Sequence, residues 1–150
     1  MTNWVCKKFS ELTTEELYSI LRLRSEIFVV EQNCVFLDMD NKDQCCDHIM
    51  YWEENKLLAY ARIVPPGISY RESSIGRIVS SPAARGRGIG KELLTQSIET
   101  LYRLHGKRVI RIGAQYYLKK FYETFGFEQT GDLYLEDGIQ HIEMLLLTKD

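Results

Sequence analysis

Arg85-Gly86-Arg87-Gly88-Ile89-Gly90 stands between Ser74 to Ser80, which reads as a buried strand, and Lys91 to His105, which reads as a helix. A Ser81-Pro82 break closes the strand, and Leu93, Leu94, Ile98, Leu101 and Tyr102 recur on one helical face. Strand, glycine-rich turn and helix in that order leave backbone N–H groups pointing outward at a helix N-terminus. Up to about four such donors lack a partner inside the helix, and the dipole adds roughly half a positive charge. A phosphate or pyrophosphate suits that place, and Arg85 and Arg87 add side-chain charge to it. The bland alternative is a helix start that uses glycine only for a tight turn.

Spacing narrows the choice. A Walker loop needs G-x-x-x-x-G-K-S/T, whereas Gly86 and Gly90 enclose three residues and Glu92 stands where a magnesium-binding hydroxyl belongs. The dinucleotide fingerprint G-x-G-x-x-G starts on Gly86 and Gly88 but meets Lys91 at its third glycine. Both fail.

The rest of the chain bounds what this turn can serve. At 150 residues, with 45% hydrophobic and 27% charged residues, it reads as a single globular domain over 1–150. A net charge of −2 gives no reason to expect nucleic acid as a partner. No apolar run approaches the ~20 residues of a membrane span, and Met1-Thr2-Asn3-Trp4 carries no signal-peptide core. Cys6, Cys34, Cys45 and Cys46 form no secreted-type framework, so reduced thiols in a cytoplasm are expected.

Trp4 to Phe9 reads as a first strand near an edge. Thr13 and Glu16 form a capping box, with Leu12 and Leu17 placed as a hydrophobic staple. The helix that follows is predicted to bury Leu17, Ile20, Leu21, the stem of Arg24, Ile27 and Phe28, and to unwind at its β-branched end, Phe28 to Gln32. His48 to Trp52 and Lys56 to Val64 flank Glu53-Glu54-Asn55 as a hairpin. Pro65-Pro66-Gly67 ends it and a flexible link follows; Gly106 is a helix C-cap, and Arg108 to Ala114 is a strand. A short helix from Leu118 to Phe125 stops at Gly126, and a last hairpin joins Leu133-Tyr134-Leu135 to His141–Leu147 through Asp137-Gly138. This is an α/β chain with a mixed, largely antiparallel sheet.

Asp38 to His48 is the segment with two open readings. Asp38, Asp40, Asp43, Asp47 and His48 surround Cys45 and Cys46 without calcium-loop or zinc spacing, so no metal is expected. The segment is either a solvated acidic loop or an acidic wall on a substrate cleft.

The spacing Arg85-x-x-Gly88-x-Gly90 satisfies R/Q-x-x-G-x-G/A and resembles the acyl-CoA pyrophosphate loop of the GCN5-related N-acetyltransferases, the GNAT family. Ala114-Gln115 through Phe121-Tyr122 and Gly126-Phe127 is similar to that family's N-x6-Y-x3-GF unit, with Gln115 in place of asparagine. Phe28 to Gln32, together with Glu136-Asp137-Gly138-Ile139 and His141, resembles the ElaA-type subgroup. The resemblance implies a twisted sheet with flanking helices, splayed between the strands ending at Ser80 and Ala114 to hold acyl-CoA. Backbone groups of Ile78, Val79 and Ser80 would then pair with the pantetheine arm, since a buried unpaired strand is costly. Arg85, Gly86, Arg87, Gly88, Ile89, Gly90 and Lys91 would cradle the pyrophosphate, and Gln115 and Tyr122 would complete the cofactor site.

The implied activity is transfer of an acetyl group from acetyl-CoA, the cosubstrate, to a primary amine of a small molecule or peptide. That chemistry needs a neutral amine, an oxyanion donor and a proton for the thiolate, but no covalent enzyme intermediate. A backbone N–H at Val79 or Ser80 would be the donor and Tyr122 the acid; a core aromatic is the alternative role for Tyr122. Glu31, Glu136 and His141 are the candidate bases, with Asp40 and His48 behind them. The acidic residues Glu31, Asp38, Asp40, Asp43, Glu136 and Asp137 point to a cationic amine as acceptor. A non-catalytic CoA-binding sensor and an interaction module on the same fold are the other readings, and a homodimer is compatible with each.

Overall fold

Residues 3–148 are described by the computed structural model; Met1 and Thr2, part of the N-terminal reading above, lie outside them. The strands β1 (Trp4–Lys8), β2 (Asp47–Glu53), β3 (Lys56–Val64) and β4 (Ser74–Ser80) form one antiparallel sheet in the order β1-β2-β3-β4. A second antiparallel sheet has the order β5-β7-β6, from β5 (Ile110–Gln115), β6 (Phe127–Glu136) and β7 (Ile139–Leu146). The sheets touch where Ser73 and Ile110 form a single parallel bridge and the Arg111 N–H donates to the Ser73 carbonyl at 3.1 Å. From that point β4 and β5 run side by side and part, which leaves the outer edge of β4 without a partner strand among the described residues.

Helix α2 (Ile89–His105) covers one face, placing Leu93, Leu94 and Leu101 against Ile63, Ile75, Ile110, Ile112 and Ile142. Helix α1 (Thr14–Arg24) covers the other, where Ile20, Leu23 and Ile27 meet Met50, Tyr60 and Val79. With both faces of β3 covered, its sequence runs almost continuously apolar. The Thr13–Glu16 capping box is present, with the Glu16 N–H donating to Thr13 Oγ1 at 3.1 Å and the Thr13 N–H to Glu16 Oε1 at 2.8 Å. Both hairpins have left-handed turn pairs, Glu54-Asn55 at φ 48° and 65° and Asp137-Gly138 at φ 51° and 77°, as two-residue hairpins require.

Three expectations need correction. Leu23 occupies the core place assigned to Leu21, and Arg24 is buried along its whole length. The end of α1 does not unwind: Ser25–Glu31 continues as a π-helix, with Gln32 N–H bonding the Ile27 carbonyl at 3.1 Å. The β-branched pair Val29-Val30 crowds the preceding turn, and a wider turn relieves that crowding without breaking the helix. The last hairpin also begins earlier, at Phe127, with an irregularity between Thr130 and Tyr134. A short helix α3 (Lys119–Glu123) links β5 to it, after a turn of 3-10 helix at Tyr116–Leu118. No helix among the described residues is long and apolar enough to cross a membrane.

Candidate active site

The gap between β4 and β5 is a cleft of about 970 Å³, lined from the glycine turn at one end to Ser69, Tyr70 and Ser74 at the other. At the turn, Gly86 and Gly88 have φ of 76° and 75°, and a Cβ at either would meet nothing within 4 Å. Their glycines are therefore required by backbone conformation, and the space above them is open. Gly88 caps α2, whose ladder starts with the Glu92 N–H on the Gly88 carbonyl at 3.2 Å. The N–H groups of Ile89, Gly90 and Lys91 consequently have no acceptor inside the helix.

The predicted loop residues divide. Arg85 and Gly90 line the cleft. Ile89 is buried in the core and can offer only its backbone, while Lys91 is exposed and outside the lining. Arg87 turns away to Glu53, its Nη2 donating to Oε2 at 2.6 Å, and Tyr51 shares that carboxylate.

Ile78, Val79 and Ser80 line the cleft along the free edge of β4. Between the Tyr60–Val79 and Arg62–Gly76 pairs, β3 advances two residues and β4 three, so β4 carries a bulge. Arg77 sits in it at φ 50°. A bulge re-aims the backbone beside it and leaves a residue unpaired. Arg77 is clamped from outside the sheet: Nη2 donates to the Asp38 carbonyl at 2.7 Å, Nε pairs with Asp38 Oδ1 at 2.9 Å, and the guanidinium lies 5.9 Å from the Phe36 ring centre.

Across the cleft, Tyr122 is 5% exposed, edge-on to Phe121 and Phe127, with no hydrogen-bond partner among the described residues. Burial pushes its phenol well above the ordinary range, so it is protonated at neutral pH. Gln115 exchanges two amide hydrogen bonds with Gln32, at 3.3 and 3.2 Å, which ties β5 to the end of the π-helix.

Residues 27–148 match the acetyltransferase (GNAT) domain family. The chain belongs to that family. It is 40% identical to Protein ElaA of Escherichia coli K12 over 146 residues, covering 96% of this chain and 95% of ElaA. The crystal structure of E. coli ElaA superposes with a TM-score of 0.90 at 38% identity, over 97% of this chain and 99% of that one. An acyl-CoA N-acyltransferase from Pseudomonas aeruginosa superposes at 0.92 with 39% identity and the same coverage. The chain is thus an acyltransferase of the GNAT family, similar to ElaA over 96% of its length.

Within this GNAT fold the three candidate bases sit differently. Glu31 ends the π-helix and is ion-paired to Arg85, so it stands at the turn. Glu136 is exposed, and His141 is buried with its Nδ1 at 2.8 Å from the Ile139 carbonyl and its Nε2 at 3.5 Å from Glu136 Oε2. All three line the cleft, the last two on the hairpin wall. His141 stacks on Tyr134 with ring centres 5.8 Å apart.

The Asp38–Asp43 segment fits neither sequence reading. Asp38 and Asp43 are buried, and each bonds Arg24 at 2.8 Å. Arg62 pairs with Asp40 and with Asp43, the latter at 2.9 Å, and Arg77 pairs with Asp38 and Asp40. Three aspartates are matched by three arginines, so no acidic wall results and the case for a cationic acceptor loses these members. Burial would raise the Asp40 carboxyl, but the hydrogen bonds and charge of Arg62, then Arg77, hold it far below the ordinary range; Asp43 is lowered in the same way by Arg24 and Arg62. His48 is structural: its ring bridges the Tyr60 hydroxyl at 2.6 Å and the Asp43 carbonyl at 2.9 Å.

Sequence reasoning missed Tyr70, Tyr134, Lys42 and Gln32. A Cβ on Gly113 would lie 2.8 Å from the Tyr70 hydroxyl and 3.1 Å from that of Tyr134. That glycine lets two phenols from distant segments converge on β5. A glycine inside an apolar strand was the available signal, since it marks close approach.

Proposed function

We propose that this GNAT protein moves an acetyl group from acetyl-CoA to a primary amine by direct attack on the thioester. The observation that carries the reading is the unpaired outer edge of β4, which faces β5 across the cleft and ends at the N-terminus of α2. An amide-bearing arm added along Ile78, Val79 and Ser80 would satisfy that edge, and a pyrophosphate would meet the N–H groups of Gly86 through Lys91. Arg85 would exchange Glu31 for phosphate. Gln115, already bonded to Gln32, would support the arm from the other wall.

In the reaction the amine nitrogen forms a bond to the thioester carbon, the carbonyl oxygen takes negative charge, and the C–S bond then breaks. A backbone N–H at Val79 or Ser80 stabilises the oxyanion. Tyr122 gives its proton to the departing thiolate and recovers one from solvent. The proton lost by the amine passes to His141, with Glu136 beside it, and on to water. Burial keeps the Tyr122 phenol protonated before the thiolate forms but also makes it a weaker acid, so its proton moves only as charge develops on the departing sulfur. Four free cysteines accord with a reducing cytoplasm as its location.

The test is release of free CoA thiol from acetyl-CoA across a panel of amino acids, polyamines, aminoglycosides and peptides, beside a melting curve with acetyl-CoA. A ligand at one hundred times its Kd adds roughly 2.7 kcal/mol to the native state. No melting shift with acetyl-CoA would overturn the cofactor assignment. A shift with no thiol release for any amine would leave a CoA-binding protein without transfer activity.

A further inference from the structure

We propose that the acceptor is an amino-acid-like zwitterion, its carboxylate received by Lys42, Ser69 and Tyr70 on the cleft wall and its amine presented to His141 and Glu136. This rests on the amine-acetylation reading above and specifies its substrate class.

Charge matching comes first. Arg24, Arg62 and Arg77 are neutralised by Asp38, Asp40 and Asp43, which leaves Lys42 as a cleft-lining cation without an ion pair among the described residues. No carboxylate among the described residues pairs with the Lys42 ammonium. It donates to Ser69 Oγ at 3.3 Å, which uses one of its three N–H donors. Ser69 accepts there and keeps its own hydroxyl proton to donate.

Tyr70 adjoins Ser69, lines the same cleft, and has no hydrogen-bond partner for its hydroxyl among the described residues. Burial, and then the nearby Tyr134, Glu143 and Glu136, push its phenol up to about 12. It is therefore a donor at neutral pH, and the same carboxylates show that it shares its surroundings with the hairpin wall. Its hydroxyl and that of Tyr134 both approach Gly113, 2.8 and 3.1 Å from where a Cβ would stand, and Tyr134 stacks on His141. The donors for an anion and the groups that would face an amine thus lie on either side of Gly113 in one cleft.

The hairpin wall carries the other sign. Glu136, Asp137 and His141 line it, and Glu143 beyond them is held by Arg111 at 2.7 Å. A molecule bearing its ammonium and carboxylate on one carbon complements both sets of residues, whereas a diamine would set its second cation against Lys42. Buried donors left unpaired by the wrong substrate penalise it more than a lost apolar contact does.

Each amino acid is compared with its own carboxamide: L-phenylalanine, L-methionine and L-lysine, by initial rates of CoA thiol release. The amide keeps size and has the more easily deprotonated amine, so a preference for the acid reports the carboxylate. The acid is expected to have kcat/KM at least about tenfold higher in the accepted pairs. Lys42→Gln should bring that ratio towards one, mainly through KM, and Lys42→Arg should restore it, with folding checked by melting. Equal or better use of the amides overturns the inference, as does a ratio that survives Lys42→Gln. If every pair is silent while a polyamine, aminoglycoside or peptide releases CoA thiol, this inference is overturned and the transfer reading stands; silence across that whole panel removes both.

Discussion

Arg85 and Arg87 at the glycine turn share their chemistry with Arg24, Arg62 and Arg77 under the Asp38–Asp43 loop, but not their dielectric surroundings. The Arg85 side chain is 51% exposed and its partner Glu31 is 42% exposed, whereas Arg24 is fully buried and Arg62 is 4% exposed. An exposed ion pair contributes ~0–1 kcal/mol, and breaking a buried one by removing a partner costs about 3–5 kcal/mol. The turn can therefore release its carboxylates and take a phosphate at little cost. Arg24 and Arg62 cannot, and the aspartates they hold, Asp38 and Asp40, clamp Arg77 in the bulge of β4.

Asp43→Ala should expose that difference most strongly. It leaves Arg24 and Arg62 without a shared acceptor, and should cost about 3–5 kcal/mol, or on the order of ten degrees in melting temperature. A shift no larger than that of Glu31→Ala would place the buried network with the surface pairs. Acid should act through the same residues. The folded-state carboxyls of Asp40 and Asp43 lie below their unfolded values, so their contribution is full above about pH 4 and lost as pH falls further. Chemical denaturation between neutral pH and pH 3 should show a steeper loss for wild type than for Asp40→Asn; identical slopes would contradict the assignment.

Gly88→Asp comes next. Its Cβ meets no protein atom, so the fold should survive with a cost of about 1–2 kcal/mol for left-handed backbone, yet a carboxylate now faces the phosphate position. Acetyl-CoA affinity should be nearly abolished, and titration showing wild-type affinity would remove the turn from the cofactor site.

Tyr122→Phe keeps the buried ring and loses only the hydroxyl. We expect kcat to fall about tenfold or more with acetyl-CoA binding little changed. An unchanged kcat would make Tyr122 a packing residue alone.

Arg85→Ala should be the mildest, weakening acetyl-CoA a few-fold, with the deficit shrinking as salt rises because an exposed charge is screened. A salt-independent deficit would mean that Arg85 behaves like its buried counterparts.

The glycine turn, its strand and helix, the Thr13 capping box and both hairpin turns were legible because each is decided within a few residues. A left-handed φ needs glycine, asparagine or aspartate nearby, and an apolar face repeats at helical spacing wherever it packs. The π-helix was only half legible: the β-branched run signalled strain, but a wider turn relieved it. What tertiary structure alone decided is which charges remain free to act. Asp38 and Asp40 meet Arg77 across separations of 39 and 37 residues, and Glu31 meets Arg85 across 54. A carboxylate in the sequence is a charge of unknown partner. Whether it recognises a substrate, steadies a turn or disappears into a buried pair depends on the cation that folding places beside it, and on how little water remains between them.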